Sequence, residues 1–214
     1  MQINKVEDAI RNLIGVFFDA GKLSLKLRSQ GLIEHIKKDK TPVTNGDIEV
    51  NNIILSSLKK ITPDIPIVSE ETAENKNLNL ETFWLVDPID GTYDYIHNRD
   101  EFTLNAGLII NKEAVAGIIY APAKDRMFYS YGNKLSYELK NGKEEIINNK
   151  EIDKNYIKAV SYSNNLKAEI IDIHKKLNVK EYIKMKSSLK FCVIATGEYQ
   201  VYAAEPRAHE WDIA

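Results

Sequence analysis

The stretch WLVDPIDGTYDY, residues 84–95, decides how this chain folds and where its site lies. The apolar run 83–86 predicts a short buried strand, which ends abruptly at Asp87. A second acid, Asp90, follows with a glycine and a threonine directly behind it. Two carboxylates and a glycine turn at one edge of a sheet suit a hard divalent cation such as Mg²⁺, which prefers oxygen ligands. These residues are also ordinary turn formers, so taken alone they leave a metal site and a solvated turn equally open.

The composition is that of an ordinary globular protein. The chain has 214 residues, 43% hydrophobic and 28% charged, enough for one core or two closely packed subdomains. A net charge of -2 without a long basic tract argues against binding to a nucleic-acid polymer. A single cysteine excludes an internal disulfide, and the N-terminus has the features of neither a signal peptide nor a membrane span. We therefore expect a cytoplasmic protein with no transmembrane segment.

Two helices are predicted ahead of the opening stretch. Apolar residues recur at helical spacing from about Ile3 to Ser29, which indicates a long amphipathic helix. A second apolar helical face begins at Ile48, after the polar segment DKTPVTNGD. We expect Asn45 or Asp47 to cap this second helix, and the alternative is that Asp47 faces the site from the helix start.

A second predicted strand also ends in acid. The run from Ile65 to Val68 is followed by Ser-Glu-Glu-Thr at 69–72. If this strand and the strand before Asp87 are parallel neighbours, Glu70 lies beside Asp87, because the carboxyl ends of parallel strands share one sheet edge. The polar stretch 73–81 between the strands predicts a mobile loop.

The rest of the chain predicts an antiparallel meander and then alternating strands and helices. The expected strands after the opening stretch are 102–110, 114–120, 126–131, 158–161, 182–185 and 199–203, with a hairpin at Asn141-Gly142 and helices at 168–177 and from near Ser187.

Three motifs in this order resemble a known superfamily. They are Ser-Glu-Glu-Thr at 69–72, Asp-Pro-Ile-Asp-Gly-Thr at 87–92 and Trp-Asp-Ile-Ala at 211–214. The chain resembles the lithium-sensitive, Mg²⁺-dependent phosphatases, which include inositol monophosphatases and fructose-1,6-bisphosphatases. The resemblance implies an α/β fold, a layered αβαβα sandwich in a single domain over 1–214. About 1–135 would form an N-terminal part with the metal motif, and about 155–214 a C-terminal α/β part that lacks its usual final segment.

The resemblance also implies the roles of individual residues. The metal ligands for two or three Mg²⁺ ions would be Glu70, Asp87, Asp90 and Asp212, with the main-chain carbonyl of Ile89. Asp47 and Thr92 would orient and deprotonate the attacking water, with Glu70 taking part in catalysis. Gly91 and Thr92 would let main-chain N–H groups approach the phosphate.

Within the superfamily, several segments are similar to the 3′(2′),5′-bisphosphate nucleotidases of sulfur assimilation. These segments are 41–44, 98–105, 120–122 and Ser-Ser-Leu-Lys-Phe-Cys at 187–192. Ser187 and Lys190 would hold a second, non-scissile phosphate. Two departures stand out: Lys186 replaces the usual glycine, and the segment 161–164 lacks the arginine and histidine of a nucleotide-pocket motif.

The expected function is therefore a Mg²⁺-dependent phosphomonoesterase. Its substrate would be adenosine 3′,5′-bisphosphate or its sulfated form, cleaved at the 3′-phosphate to give AMP and phosphate. The alternatives are an inositol or sugar monophosphate phosphatase, and a truncated family remnant with weak or no activity. Because relatives commonly dimerise, a homodimer is the assembly that the resemblance implies.

Overall fold

Two long helices open the chain. The computed structural model describes residues 3–38, 40–72, 80–132, 134–148 and 151–205. Helix α1 spans Ile3–Gln30 and helix α2 spans Asn45–Ile61. The apolar positions of α1 are buried at helical spacing, as in Ile10, Leu13 and Phe17, which confirms the predicted amphipathic helix. No helix within these ranges is long and apolar enough to cross a membrane.

The start of α2 differs from the prediction. The N-cap is Thr44, not Asn45 or Asp47, and its side chain accepts hydrogen bonds from the main-chain N–H groups of Gly46 and Asp47. Asp47 occupies the third helical position and returns a bond to the Thr44 main chain, which completes a capping box. The capping threonine thus fixes the position of the Asp47 carboxylate.

A short antiparallel pair, β1 (Glu34–Ile36) and β2 (Pro42–Thr44), lies between the two helices. The sequence did not predict this pair. Each strand has three residues and β1 is exposed throughout, so neither carries the alternating apolar pattern that marks a strand.

A seven-stranded sheet forms the centre of the fold. Its strands follow chain order, β3 being parallel to β4 and every later neighbour antiparallel. The two acid-ended strands are parallel neighbours, which is the condition under which the sequence placed Glu70 beside Asp87, although β3 starts two residues later than expected. The strands are β3 (Ile67–Ser69), β4 (Phe83–Asp90), β5 (Thr103–Ile110), β6 (Glu113–Ala121), β7 (Arg126–Ser130), β8 (Ser136–Lys140) and β9 (Lys143–Ile146).

Shorter elements connect these strands and form a second sheet. Helix α3 (Thr92–Ile96) follows β4, and a 3₁₀ turn at Pro122–Lys124 precedes β7. The second sheet is parallel, in the order β11-β10-β12. Its elements are β10 (Ile157–Ser161), α4 (Ala168–Lys176), β11 (Val179–Lys184), α5 (Leu189–Ala195) and β12 (Val201–Tyr202).

The elements stack in layers. Helices α1 and α2 cover one face of the large sheet and share a core with side chains such as Trp84, Leu104 and Ile118. On the opposite face, Val193 of α5 and Phe128 of β7 belong to a second core, which extends to Val160 of the small sheet. This arrangement is the predicted layered α/β sandwich. Asp212 and the rest of the Trp-Asp motif lie outside the described residues, as do residues 73–79 of the loop predicted over 73–81.

Candidate active site

The carboxyl ends of β3 and β4 form an acidic edge. The main-chain N–H of Glu70 donates to the Val86 carbonyl at 3.0 Å, so the ladder continues one step past β3 and sets Glu70 beside the residue that precedes Asp87. Asp87 is a buried residue of β4, only 2% exposed. The pairing of β4 with β5 is irregular between Asp87 and Asp90, and such an irregularity re-aims the side chains around it.

Gly91 makes the turn that leads from β4 into α3. Its φ is +91°, in the left-handed region that favours glycine. A Cβ at this position would lie 3.0 Å from the main-chain oxygen of Glu101, closer than packed atoms tolerate. The glycine therefore lets the chain reverse immediately after Asp90 and begin α3 at Thr92.

Asp47 and Thr92 lie within hydrogen-bond distance of one another. Thr92 Oγ1 is 3.1 Å from Asp47 Oδ1 and 3.1 Å from the Ile89 carbonyl oxygen. The other carboxylate oxygen, Asp47 Oδ2, accepts bonds from the Thr44 main-chain N–H at 2.8 Å and hydroxyl at 2.6 Å. Burial raises the pKa of the Asp47 carboxyl, although the bonds from both threonines act in the opposite direction. A carboxylate of raised pKa bonded to a hydroxyl is suited to accept a proton.

A lysine that sequence reasoning missed reaches this edge from the loop after β1. Lys37 Nζ lies 3.1 Å from Glu70 Oε1 and 2.7 Å from Glu71 Oε1. Burial lowers the pKa of Lys37, but the two carboxylates outweigh it and the net shift is upward, so this lysine stays charged. A fixed positive charge therefore already neutralises part of the acidic edge. No sequence signal marked Lys37, because it lies in the unpredicted β1–β2 segment.

The turn before α5 brings the small-sheet part of the chain against this edge. Ser188 Oγ donates to Asp90 Oδ2 at 2.8 Å. A Cβ built on Gly91 would lie 3.5 Å from Ser187 Cβ, so the two turns are in contact. Lys190 Nζ donates to the Ser187 carbonyl at 2.8 Å, which holds its charge at the same turn. The structure thus brings Ser187 and Lys190 next to the acidic edge, and it adds Ser188, which the sequence motif contained but did not single out.

The donor set of this edge has the chemistry that Mg²⁺ requires. The predicted donors that lie within the described residues are all oxygens: three carboxylates at Glu70, Asp87 and Asp90, and the Ile89 carbonyl. Among the described residues, no three acidic, histidine or cysteine side chains converge into a ready-made cage. Mg²⁺ does not need such a cage, because it keeps several waters and binds through one or two carboxylates together with substrate phosphate oxygens. The residues present therefore fit a hard divalent cation.

Comparison with known protein sequences gives consistent matches. Residues 6–214 match the inositol monophosphatase family. The 3′(2′),5′-bisphosphate nucleotidase CysQ of Buchnera aphidicola is 37% identical over 200 residues, which cover 91% of this chain and 74% of that protein. The protein of the same name from Escherichia coli K12 is 33% identical over 183 residues, or 83% of this chain and 72% of that protein.

Comparison with solved structures agrees with the sequence matches. CysQ from Bacteroides thetaiotaomicron, a bacterial member of the inositol monophosphatase family, superposes with a TM-score of 0.78 at 26% identity, covering 96% of this chain and 82% of that one. An IMPase of Thermotoga maritima gives a TM-score of 0.74 at 22% identity, covering 90% and 74%. The second likeness concerns the fold alone.

Proposed function

Since this chain belongs to the inositol monophosphatase family, we propose that it is a Mg²⁺-dependent phosphatase of adenosine 3′,5′-bisphosphate or its sulfated form. Family and relatives make it a phosphomonoester hydrolase. The hydrogen-bonded pair of Asp47 and Thr92, set beside an edge of oxygen donors, is the single observation that carries the proposal. Relatives at 37% and 33% identity are named 3′(2′),5′-bisphosphate nucleotidases, which favours a nucleoside bisphosphate over an inositol phosphate.

The metal would be held by the acidic edge. Glu70, Asp87, Asp90 and the Ile89 carbonyl are the proposed ligands, with Asp212 as a further one by family resemblance. When bound, Mg²⁺ neutralises the phosphate oxygens, acidifies the attacking water and stabilises the departing alkoxide. Lys37, bonded to Glu70 and Glu71, supplies a fixed positive charge that lowers the repulsion among these acids before metal binds.

Thr92 and Asp47 would provide the path for the proton. When Thr92 donates its hydroxyl hydrogen to Asp47 Oδ1, the lone pairs of its oxygen can accept a hydrogen from a water. As the water oxygen attacks phosphorus, its proton passes to Thr92 while the threonine proton passes to Asp47. The bond from phosphorus to O3′ breaks, and the leaving oxygen takes a proton from solvent. Thr44, which donates twice to Asp47, keeps the accepting carboxylate in place.

The turn before α5 would hold the second phosphate of the substrate. Lys190 carries a positive charge at this turn, and Ser187 lies against the glycine turn that follows Asp90. A phosphate that is not cleaved supplies binding energy only if a fixed charge or donor meets it. A nucleoside bisphosphate has such a phosphate and inositol monophosphate does not. This part of the site is therefore the one that would separate the two substrate classes.

Phosphate release from three substrates tests the proposal. With Mg²⁺, we expect kcat/KM for adenosine 3′,5′-bisphosphate to exceed that for inositol 1-phosphate and for 3′-AMP by tenfold or more. Chelation of the metal should abolish turnover of all three. Lys190→Met should raise KM for the bisphosphate roughly 10- to 100-fold, the value of one charged hydrogen bond, and leave the other two substrates unaffected. A preference for inositol phosphate would overturn the substrate assignment. If none of the three substrates releases phosphate, the proposal that the protein is a phosphatase is wrong.

A further inference from the structure

A chain of side-chain hydrogen bonds joins strand β5 to the acidic edge. Asn105 Nδ2 donates to Ser188 Oγ at 3.0 Å, and Ser188 Oγ donates to Asp90 Oδ2 at 2.8 Å. Asn105 is 4% exposed and Ser188 is 0% exposed, so the bond between them forms away from solvent, and only its far end, at Asp90, is partly exposed. Hydrogen bonds in such surroundings hold their geometry, because water cannot replace either partner.

The direction of this chain follows from the number of protons. A serine hydroxyl has one hydrogen to donate. If it were given to the Asn105 carbonyl oxygen, the Ser188 oxygen would face the Asp90 carboxylate with no hydrogen between them. The amide must therefore present its N–H to Ser188, which leaves the serine hydrogen for Asp90. This polarity, amide to hydroxyl to carboxylate, suits an ionised Asp90.

The backbone around Ser188 fixes the hydroxyl in place. The preceding residue, Ser187, has a φ of +51°, an uncommon left-handed conformation for a residue other than glycine. It packs against Gly91, the residue directly after Asp90. The turn carrying the serine and the turn carrying the aspartate are thus locked against each other. Residues from both sheet units meet at this contact.

We propose, on the basis of the function proposed above, that Ser188 is a positioning residue that holds the Asp90 carboxylate in its metal-binding orientation. Asp90 is the last residue of β4 and pairs with Thr103 beyond the irregularity in the β4–β5 ladder. The pairing sets its main chain, but the torsion angles of its side chain depend on what the carboxylate contacts. A ligand must stay within about 0.5 Å of its productive position to bind a metal well. Partners that orient a ligand typically change metal affinity 10- to 100-fold when removed.

The test is calorimetric titration of Mg²⁺ into the protein without substrate. Ser188→Ala should raise the Kd for Mg²⁺ roughly 10- to 100-fold. Because Asp90 is still present, kcat at saturating Mg²⁺ should recover to near the wild-type value. Asn105→Ala should weaken Mg²⁺ binding in the same direction but less. The double variant should bind Mg²⁺ no more weakly than Ser188→Ala alone, because the amide acts through the hydroxyl.

Ser24→Ala is the matched control, since Ser24 is equally buried and its hydroxyl bonds only a carbonyl within α1. It should leave Mg²⁺ binding unchanged. If Ser188→Ala lowers the melting temperature of the metal-free protein but binds Mg²⁺ like wild type, Ser188 only packs and the positioning role is wrong. If the wild-type protein itself binds no Mg²⁺, the proposed Mg²⁺-dependent function is wrong, whatever the role of Ser188. The two failures are therefore distinguishable.

Discussion

Asp47 accepts hydrogen bonds from two threonines that belong to different parts of the chain. Thr44 donates from the helix cap, and Thr92 reaches Asp47 from the first residue of α3. A carboxylate held on both oxygens keeps one orientation, so its distance to the threonine hydroxyl is fixed before substrate arrives. Such pre-set geometry is what a proton relay requires.

Removing Thr92, Asp47 or both should lower kcat by about the same factor. Thr92→Val, which keeps the shape and removes the hydroxyl, should lower kcat by roughly 10²- to 10⁴-fold, and Asp47→Asn by a similar factor. The double variant should be little worse than either single one, because both remove the same proton path. Thr92→Ser, which retains the hydroxyl, is the matched control and should keep most of the activity. Multiplicative losses in the double variant would show that the residues act separately.

Sequence reasoning singled out Asp47 and left open whether it caps α2 or faces the site, but it did not identify Thr44 as the N-cap. Residues 44–47 are four adjacent capping candidates, and the rule for a capping box looks for glutamate or glutamine in the third position. Aspartate there hid the pattern, so Thr44 went unrecognised as the cap. Ser188 was overlooked for a different reason. The adjacent pair Ser187-Ser188 does not reveal which hydroxyl points back to the sheet.

Strand β7, strand β8 and the loop after α5 meet at one buried arginine. Arg126 bonds Glu138 of β8 at 2.6 Å and also pairs with Glu198, which precedes β12. Burial would raise the pKa of Glu198, but the bonds from Arg126 and Thr196 outweigh it and the net shift is downward. This ion pair therefore ties the large sheet to the small one on the side away from α1 and α2.

The pH dependence of the free energy of unfolding tests the contribution of the ion pair between Arg126 and Glu198. A depressed pKa stabilises the fold above the ordinary carboxyl value of 4.5, and that stability is lost as pH falls through the lower folded value. Glu198→Gln should lower the free energy of unfolding at pH 7 by roughly 1 kcal/mol or less, since the carboxylate is 38% exposed and partly screened. In urea titrations the difference between the variant and wild type should shrink progressively as the pH falls below 4.5.

Glu113→Gln is the control for that experiment, because it removes the same charge from an exposed position of β6 away from Arg126. It should change the free energy of unfolding little at either pH. A difference between Glu198→Gln and wild type that persists undiminished at acid pH would mean that the ion pair is not what glutamine disrupts.

The elements best predicted from sequence were those with strong apolar patterns. Helix α1 and the meander β5–β7 have core residues at the spacing of their structure, as Leu104, Ala106 and Leu108 show in β5. The pair β1–β2 has no such pattern, so Lys37 could not be placed. Lys37 and Glu70 are far apart in sequence, and their interaction depends on the β1–β2 strand pair. Local sequence patterns therefore could not predict it.

At the scale of the whole molecule, the site lies where separate units of the fold meet. The acids come from the ends of β3 and β4, the proposed proton acceptor from α2, and the proposed phosphate anchor from the turn before α5. The motifs at 69–72 and 87–92 indicated that two strands end in acid, and the structure shows that these strands are parallel neighbours. The contact between the turns at Gly91 and Ser187 could not, because it depends on how the two sheets pack.

The central claim is that the acidic edge binds Mg²⁺ and that this binding enables phosphate release. Mg²⁺ at about 100 times its Kd should stabilise wild-type protein by about 2.7 kcal/mol, or roughly 5 to 10 °C in melting temperature. We expect this shift and the release of phosphate from adenosine 3′,5′-bisphosphate to disappear together in Asp87→Asn and to persist in Glu49→Gln, an exposed acid of α2. An Asp87→Asn protein that keeps both the Mg²⁺ shift and the wild-type rate would contradict the assignment of this edge as the metal site.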